Sequence, residues 1–141
     1  MTSPKNDSVQ GLLAKANNLL YEIFIDNGIQ YQAEINAPEK PIVLPDELKN
    51  DTFLILKEAT HNIIKHSKAT NVTLNADIND HACMISLMDN GIGFDESKLC
   101  ERVSQGNGLI NMKKRAQDSK IDLSIKSQEG NGTVITLIIK I

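Results

Sequence analysis

Two runs of strict alternation, IDLSIKS at 121–127 and TVITLIIKI at 133–141, flank the turn QEGNG near the end of the chain. Alternation is the period of a strand, and a glycine-rich break between two such runs signals a hairpin. A lone hairpin cannot bury a face, so this feature demands further strands and a layer to cover them. Both are written upstream. NVTLNADI and ACMISLM alternate around Asn79-Asp80-His81, and IQYQAEIN sets Ile29, Tyr31, Ala33 and Ile35 on one side. GLLAKANNLLYEIFIDNGI carries Leu12, Leu13, Ala16, Leu19, Leu20 and Ile23 at helical spacing. It stops at Asn27-Gly28, where glycine accepts the left-handed C-cap conformation.

APEKPIVLPDE, with three prolines, is a loop. The longest helix is expected from Pro45 to His66, with Asp46 as a cap near its start. GLINMKKRAQD is a further helix entered from glycines, whereas residues 95–105 are polar and hold no period. Helix, strand, long helix, strand, strand, loop, helix, strand, strand is an α/β (α+β) order. It predicts a two-layer sandwich, a mixed sheet covered on one face by about three helices. A length of 141 residues suits one domain with a real core. Residues 1–10 are expected to form a flexible lead or linker and 11–141 the domain.

Composition removes several classes of function. Hydrophobic residues at 40% and charged residues at 23% fit a globular chain. A net charge of −3 and 4% aromatic residues argue against binding nucleic acid by a basic or stacking surface. No apolar run reaches membrane-spanning length, and MTSPKNDSVQ has no apolar signal core. Cys83 and Cys100 stand alone, without metal-ligand spacing or a disulfide framework. A cytoplasmic chain is the expectation, with room for a membrane anchor in a longer parent.

On the long helix, Phe53, Leu56, Ala59, Thr60 and Ile63 fall on one side, the expected core face. Glu58, Asn62, Lys65 and His66 fall on the other, three and four residues apart. Such a stripe fits an ordinary solvated face, yet Leu54 and Ile55 share its side, which is odd for open water. A carboxylate and an amide oxygen one turn apart also suit a general base and a hard cation such as Mg²⁺. Lys65 and His66 can then face phosphate oxygens.

Six of the eight glycines fall in three pairs: Gly91 and Gly93, Gly106 and Gly108, Gly130 and Gly132. None fits a dinucleotide fingerprint or a P-loop. GNGL precedes a helix, whose free N–H groups favour an anion, although a plain capping turn also explains it. GNGT fits a hairpin turn. DNGIGF at 89–94 asks for more than a turn, because the second glycine and Phe94 are surplus to one. An ionised Asp89 at a strand end can accept donors such as an exocyclic amine, and the glycines let a flat ring approach main chain.

Glu58-Ala59-x-x-Asn62-x-x-Lys65-His66, then Asp89-Asn90-Gly91-Ile92-Gly93-Phe94, then Gly106-Asn107-Gly108-Leu109-x-Asn111-Met112-x-x-Arg115-Ala116, then Gly130-x-Gly132-Thr133 make an ordered set. In that order they resemble the ATP-binding domain of bacterial sensor histidine kinases, of the gyrase/Hsp90/histidine-kinase/MutL ATPase superfamily. The forms EAxxNxxKHS and GLxNMxxRA look most like the nitrate-sensor and desaturase-sensor branch. The resemblance spans roughly residues 20–141.

That resemblance implies roles. Glu58 matches the candidate general base and Asn62 the Mg²⁺ ligand. Lys65 and His66 match residues at the phosphate tail. Asp89 matches the carboxylate that holds the adenine amino group, and Gly91 and Gly93 the glycines lining the purine slot. Gly106, Gly108 and Leu109 match the second glycine box, whose amides approach phosphate, and Thr133 a threonine assisting adenine binding. Residues 95–105 match the lid over the nucleotide, expected to move without it. ATP and Mg²⁺ are the implied ligands. A dimerisation domain bearing the phosphoacceptor histidine and a downstream response regulator are the implied partners.

His61, His66 and His81 are the three histidines, and none sits in an acceptor setting. Residues 11–27 are expected to be the tail leading from an acceptor helix pair, and the chain a catalytic module that does not phosphorylate itself. Two alternatives stay open: a serine kinase of the anti-sigma-factor type, and a nucleotide-binding interaction module without transfer.

Overall fold

The computed structural model describes residues 8–93 and 108–141. In β2 (Asn71–Ile78) the apolar alternates Val72, Leu74, Ala76 and Ile78 are buried, while Asn71, Asn75 and Asp77 face solvent. β3 (Ala82–Asp89) buries Cys83, Ile85 and Leu87, and β5 (Thr133–Lys140) buries Ile135, Leu137 and Ile139. β4 (Asp122–Ser127) turns Leu123 and Ile125 to the same core. With β1 (Gln30–Asn36) these strands form one sheet in the order β1-β2-β3-β5-β4. Only β1 and β2 pair in parallel, Gln30 against Asn71; the other pairs are antiparallel. Met84, Met88 and Ile138 stand exposed on the uncovered face.

A parallel pair needs a crossover, and the long helix supplies it. α2 runs from Asp46 to Asn62 and buries Thr52, Ile55, Leu56, Ala59 and Thr60. Ile55 is fully buried, against its expected place on the polar side. The core stripe is wider than the one read from the sequence, and it is centred between Ile55 and Ala59, so Phe53 moves to its margin. Thr52 and Thr60 remain dry because each hydroxyl donates to the carbonyl four residues back, at 2.8 and 2.9 Å. Asp46 is not the cap: Pro45 is, with no side-chain bond, and Asp46 opens the first turn, where negative charge suits the helix dipole.

α1 (Val9–Asp26) begins two residues before the expected domain start. Ser8 caps it by accepting the Gly11 N–H at 3.0 Å, and the Val9 N–H donates to the Ile42 carbonyl at 2.7 Å. Val9, Leu13, Ala16, Leu20 and Phe24 are buried in the main core. These residues are therefore a structural layer of the sandwich as well as whatever they join. Gly28, at φ +74°, makes the expected stop. α3 (Gly108–Asp118) lays Met112 and Ala116 on α2 and β4, completing three helices on one face. No helix among the described residues is long and apolar enough to cross a membrane.

Candidate functional site

One end of the sheet gathers a row of buried polar residues. Val72 pairs with Asp89, Asp89 with Thr133, and Thr133 with Ser127, so one row crosses four strands. Asp89, Thr133 and Ser127 in that row are all buried. Helix ends meet it. The chain leaving α2 enters β2 at Asn71, so the Asn62 end of α2 lies at this edge. α3 connects by a short turn to the far end of β4, so its Gly108 end returns to the same edge.

Asp89 is 4% exposed. Burial pushes its carboxyl above the usual carboxylate range, opposed by N–H groups of Gly91 and Thr133 that favour the charge. The Gly91 N–H donates to Oδ1 at 2.8 Å. A buried carboxylate with one oxygen engaged by main chain can accept a donor from a flat, neutral group through its remaining lone pairs. Ser127 Oγ and Thr133 Oγ1 lie 2.8 Å apart, and Ser127 Oγ also donates to the Gly132 carbonyl at 3.2 Å.

The glycines around Asp89 first serve the chain itself. A Cβ on Gly91 would run into the Ser67 carbonyl, one on Gly93 into the Gln128 carbonyl, and one on Gly132 into the Asp89 carbonyl. Gly93 and Gly132 also hold φ of +64° and +80°. The Ile92 N–H donates to the Ser67 carbonyl at 2.7 Å, and the Ile92 carbonyl accepts the Gly130 N–H at 2.5 Å. DNGIG and the QEGNG turn are thus clamped to each other and to Ser67, just beyond α2. Gly132 is more than a turn residue, since its bare Cα is what lets the turn close over Asp89.

Two residues of this clamp have no role in the sequence reading. Ser67 donates its hydroxyl to the Ile63 carbonyl at 2.6 Å and accepts the Ala69 N–H at 3.1 Å, while its carbonyl holds Ile92. Asn90 Oδ1 accepts the Thr70 and Asn71 N–H groups, both at 2.9 Å, and its amide donates to Thr70 Oγ1 at 2.9 Å. The signals were present: a serine closing KHS, and an Asn before glycine, a residue fitted to local backbone bonding.

Glu58 and Asn62 sit on the last turns of α2, both half-buried. Four residues of helix separate them by about 6 Å along the axis. Beyond Asn62 the α-helix gives way to a π turn, Ile63–Ser67, ending at Lys68 with φ 53°. The wider turn rotates Lys65 and His66 away from the positions that a continued 3.6-residue wheel assigns them, and both are exposed. Gly106 and the proposed lid, 95–105, lie outside the described residues. Gly108 is the first residue of α3 and Leu109 follows it.

Residues 48–141 match the family described as histidine kinase-, DNA gyrase B- and HSP90-like ATPase. The chain is 31% identical over 117 residues to the nitrate/nitrite sensor protein NarX of Escherichia coli, covering 77% of this chain and 19% of NarX. It is 30% identical over 130 residues to the signal transduction histidine-protein kinase/phosphatase DegS of Bacillus subtilis, covering 90% of this chain and 33% of DegS. The chain therefore spans a third or less of these relatives. Among solved structures, the catalytic domain of histidine kinase ThkA superposes with a TM-score of 0.74 at 14% identity, covering 94% of this chain and 93% of that one. That likeness is one of fold.

Proposed function

The chain belongs to the histidine kinase-, DNA gyrase B- and HSP90-like ATPase family, and on that premise we propose that it is the ATP-binding catalytic module of a two-component sensor histidine kinase. It presents Mg·ATP to a histidine on a separate dimerisation domain, and a response regulator takes the phosphoryl group onward. The module works in the cytoplasm, where ATP is. The observation that carries this reading is the buried, main-chain-braced carboxylate of Asp89 at the sheet edge where helix ends converge.

Asp89 accepts the exocyclic amine of adenine, and the hydroxyl of Thr133 stands beside it on the next strand. Gly91 and Gly93 bound the purine slot. Lys65 and His66 reach the phosphates from the π turn, and the amides of Gly108 and Leu109 reach them from the start of α3; the resemblance adds Gly106 to that set. The donor set on α2 fits a hard cation: the Asn62 side-chain oxygen would hold Mg²⁺, with phosphates and water completing its shell. Held there, the metal would neutralise charge on the transferred group. Glu58, one turn back, takes the proton from the attacking imidazole.

Glu58→Gln separates binding from transfer. With a dimerisation–phosphoacceptor domain supplied in trans, the variant should transfer phosphate about 100-fold more slowly, while calorimetry returns an unchanged ATP affinity. Transfer at the wild-type rate would remove Glu58 from the chemistry. Acid lability of the labelled product assigns it to histidine; an acid-stable product would point to the serine-kinase alternative.

A further inference from the structure

Arg115, the Arg of GLINMKKRA, has no task in the site as described. On α3 it points back along α2: Nη1 lies 3.5 Å from Asp51 Oδ1, and the Ser119 hydroxyl one turn later donates to Asp51 Oδ2. Asp51 itself is 7% exposed. An acid buried between helices is a poor choice for stability alone, since an apolar side chain of similar volume usually serves as well or better. Its best-attested use is to fix register.

Register matters at this seam. Asp51 precedes Glu58 by seven residues and Asn62 by eleven, so all three fall near one stripe of α2. Arg115 follows Gly108 by seven residues on α3, and Ser119, just past the helix end, continues the same stripe because its N–H still donates to the Arg115 carbonyl. The two helices run antiparallel: both have their far ends at the Asp51 contact, and the Asn62 and Gly108 ends both point toward the Asp89 edge. Between these ends the seam is apolar, with Met112 and Ala116 of α3 buried. Apolar packing of that kind permits sliding and rolling. A carboxylate gripped by two donors one turn apart selects a single setting.

We propose that Asp51, with Arg115 and Ser119, is a positioning group for the phosphate half of the nucleotide site. It holds the first turn of α3 at a fixed distance from Asn62 through a lever of about 10 Å, seven residues of helix. The adenine half, built on β3 and β5, does not depend on it. This inference rests on the nucleotide-site reading above.

The test compares adenosine with Mg·ATP by NMR titration of the wild type, Asp51→Asn, Arg115→Met and Arg115→Lys. Arg115→Met keeps the apolar stem of a side chain that is 41% exposed, which favours folding. Mg·ATP affinity should fall about tenfold in Asp51→Asn and Arg115→Met, as expected for groups misplaced by a fraction of an ångström. Adenosine affinity should stay at the wild-type value, and Arg115→Lys should recover part of the loss. Equal weakening of both ligands, or no weakening of either, overturns the proposal. A wild type that binds neither ligand overturns the nucleotide-site reading instead.

Discussion

Asp89→Asn should abolish measurable ATP binding and leave the empty protein at least as stable as the wild type. The amide keeps the shape and can still accept the Gly91 N–H through its oxygen. Its other edge carries N–H₂ where an adenine amine needs an acceptor. A buried site built for one hydrogen-bond pattern rejects the mismatched one strongly, and the affinity loss should be about 1,000-fold or more. Stability moves the other way because burial raises the Asp89 carboxyl above its usual range. The folded state then binds the proton more tightly than the unfolded chain does. Stability from that group is present in acid, below the ordinary carboxylate value, and is lost as pH rises through the raised folded value. As pH rises the wild-type carboxyl takes on a desolvated charge that the amide never carries. Thermal denaturation at pH 7 should thus place the variant level with or above the wild type, and the gap should close toward pH of about 4. A variant that binds ATP normally would remove Asp89 from adenine recognition. One that melts well below the wild type at pH 7 would show that the braced charge stabilises the fold.

Gly91→Ala tests the clamp. The added methyl would overlap main chain of Ser67, including its carbonyl, and both partners are held: Ser67 by Ile63, Ala69 and Ile92, Gly91 by Asp89. Forcing backbone apart in a packed site costs about 3 kcal/mol or more, a fall in Tm of about 10 °C for a chain of this size. ATP binding should fail with it, because Gly91 braces Asp89. Gly130→Ala is the control. Gly130 has φ +84°, and no atom lies within 4 Å of the place an added methyl would take, so it meets strain without collision. That substitution should cost only about 1–2 kcal/mol. Equal melting points for the two variants would mean that the Ser67 contact yields freely.

Most of the sheet is legible in the sequence because alternation is local and one face is dry: β2, β3 and β5 fall where their apolar alternates place them. Helix positions are legible in outline, and their faces less so. Ile55 escapes a simple helical wheel because a 17-residue helix touching a sheet and two helices buries a stripe wider than one row. Ser8 escapes because a cap is recognised by the helix it starts, and the apolar spacing of that helix becomes clear only from Leu12 onward. The π turn at Ile63–Ser67 leaves no mark on composition, so a stripe drawn with α geometry runs on through Lys65 and His66. Of the candidate site, Asp89 and the glycines stand out in the sequence as DNGIGF and the glycine pairs, and the ordered set of motifs, through its family resemblance, is what proposes their roles. What the glycines touch cannot, because their neighbours, Ser67 and Gln128, lie far along the chain. Ser67, and Asn90 for the most part, act through main-chain partners, which sequence does not display.

β5 is inserted between β3 and β4 although it follows both in the chain. Asp89 therefore lacks its Thr133 neighbour until the ribosome has passed residue 133 and β5 has paired with β3. A nascent chain can complete the β2–β3 hairpin and still carry an unfinished row beside Asp89. On the proposed reading, nucleotide capture therefore waits for almost the whole domain to be synthesised.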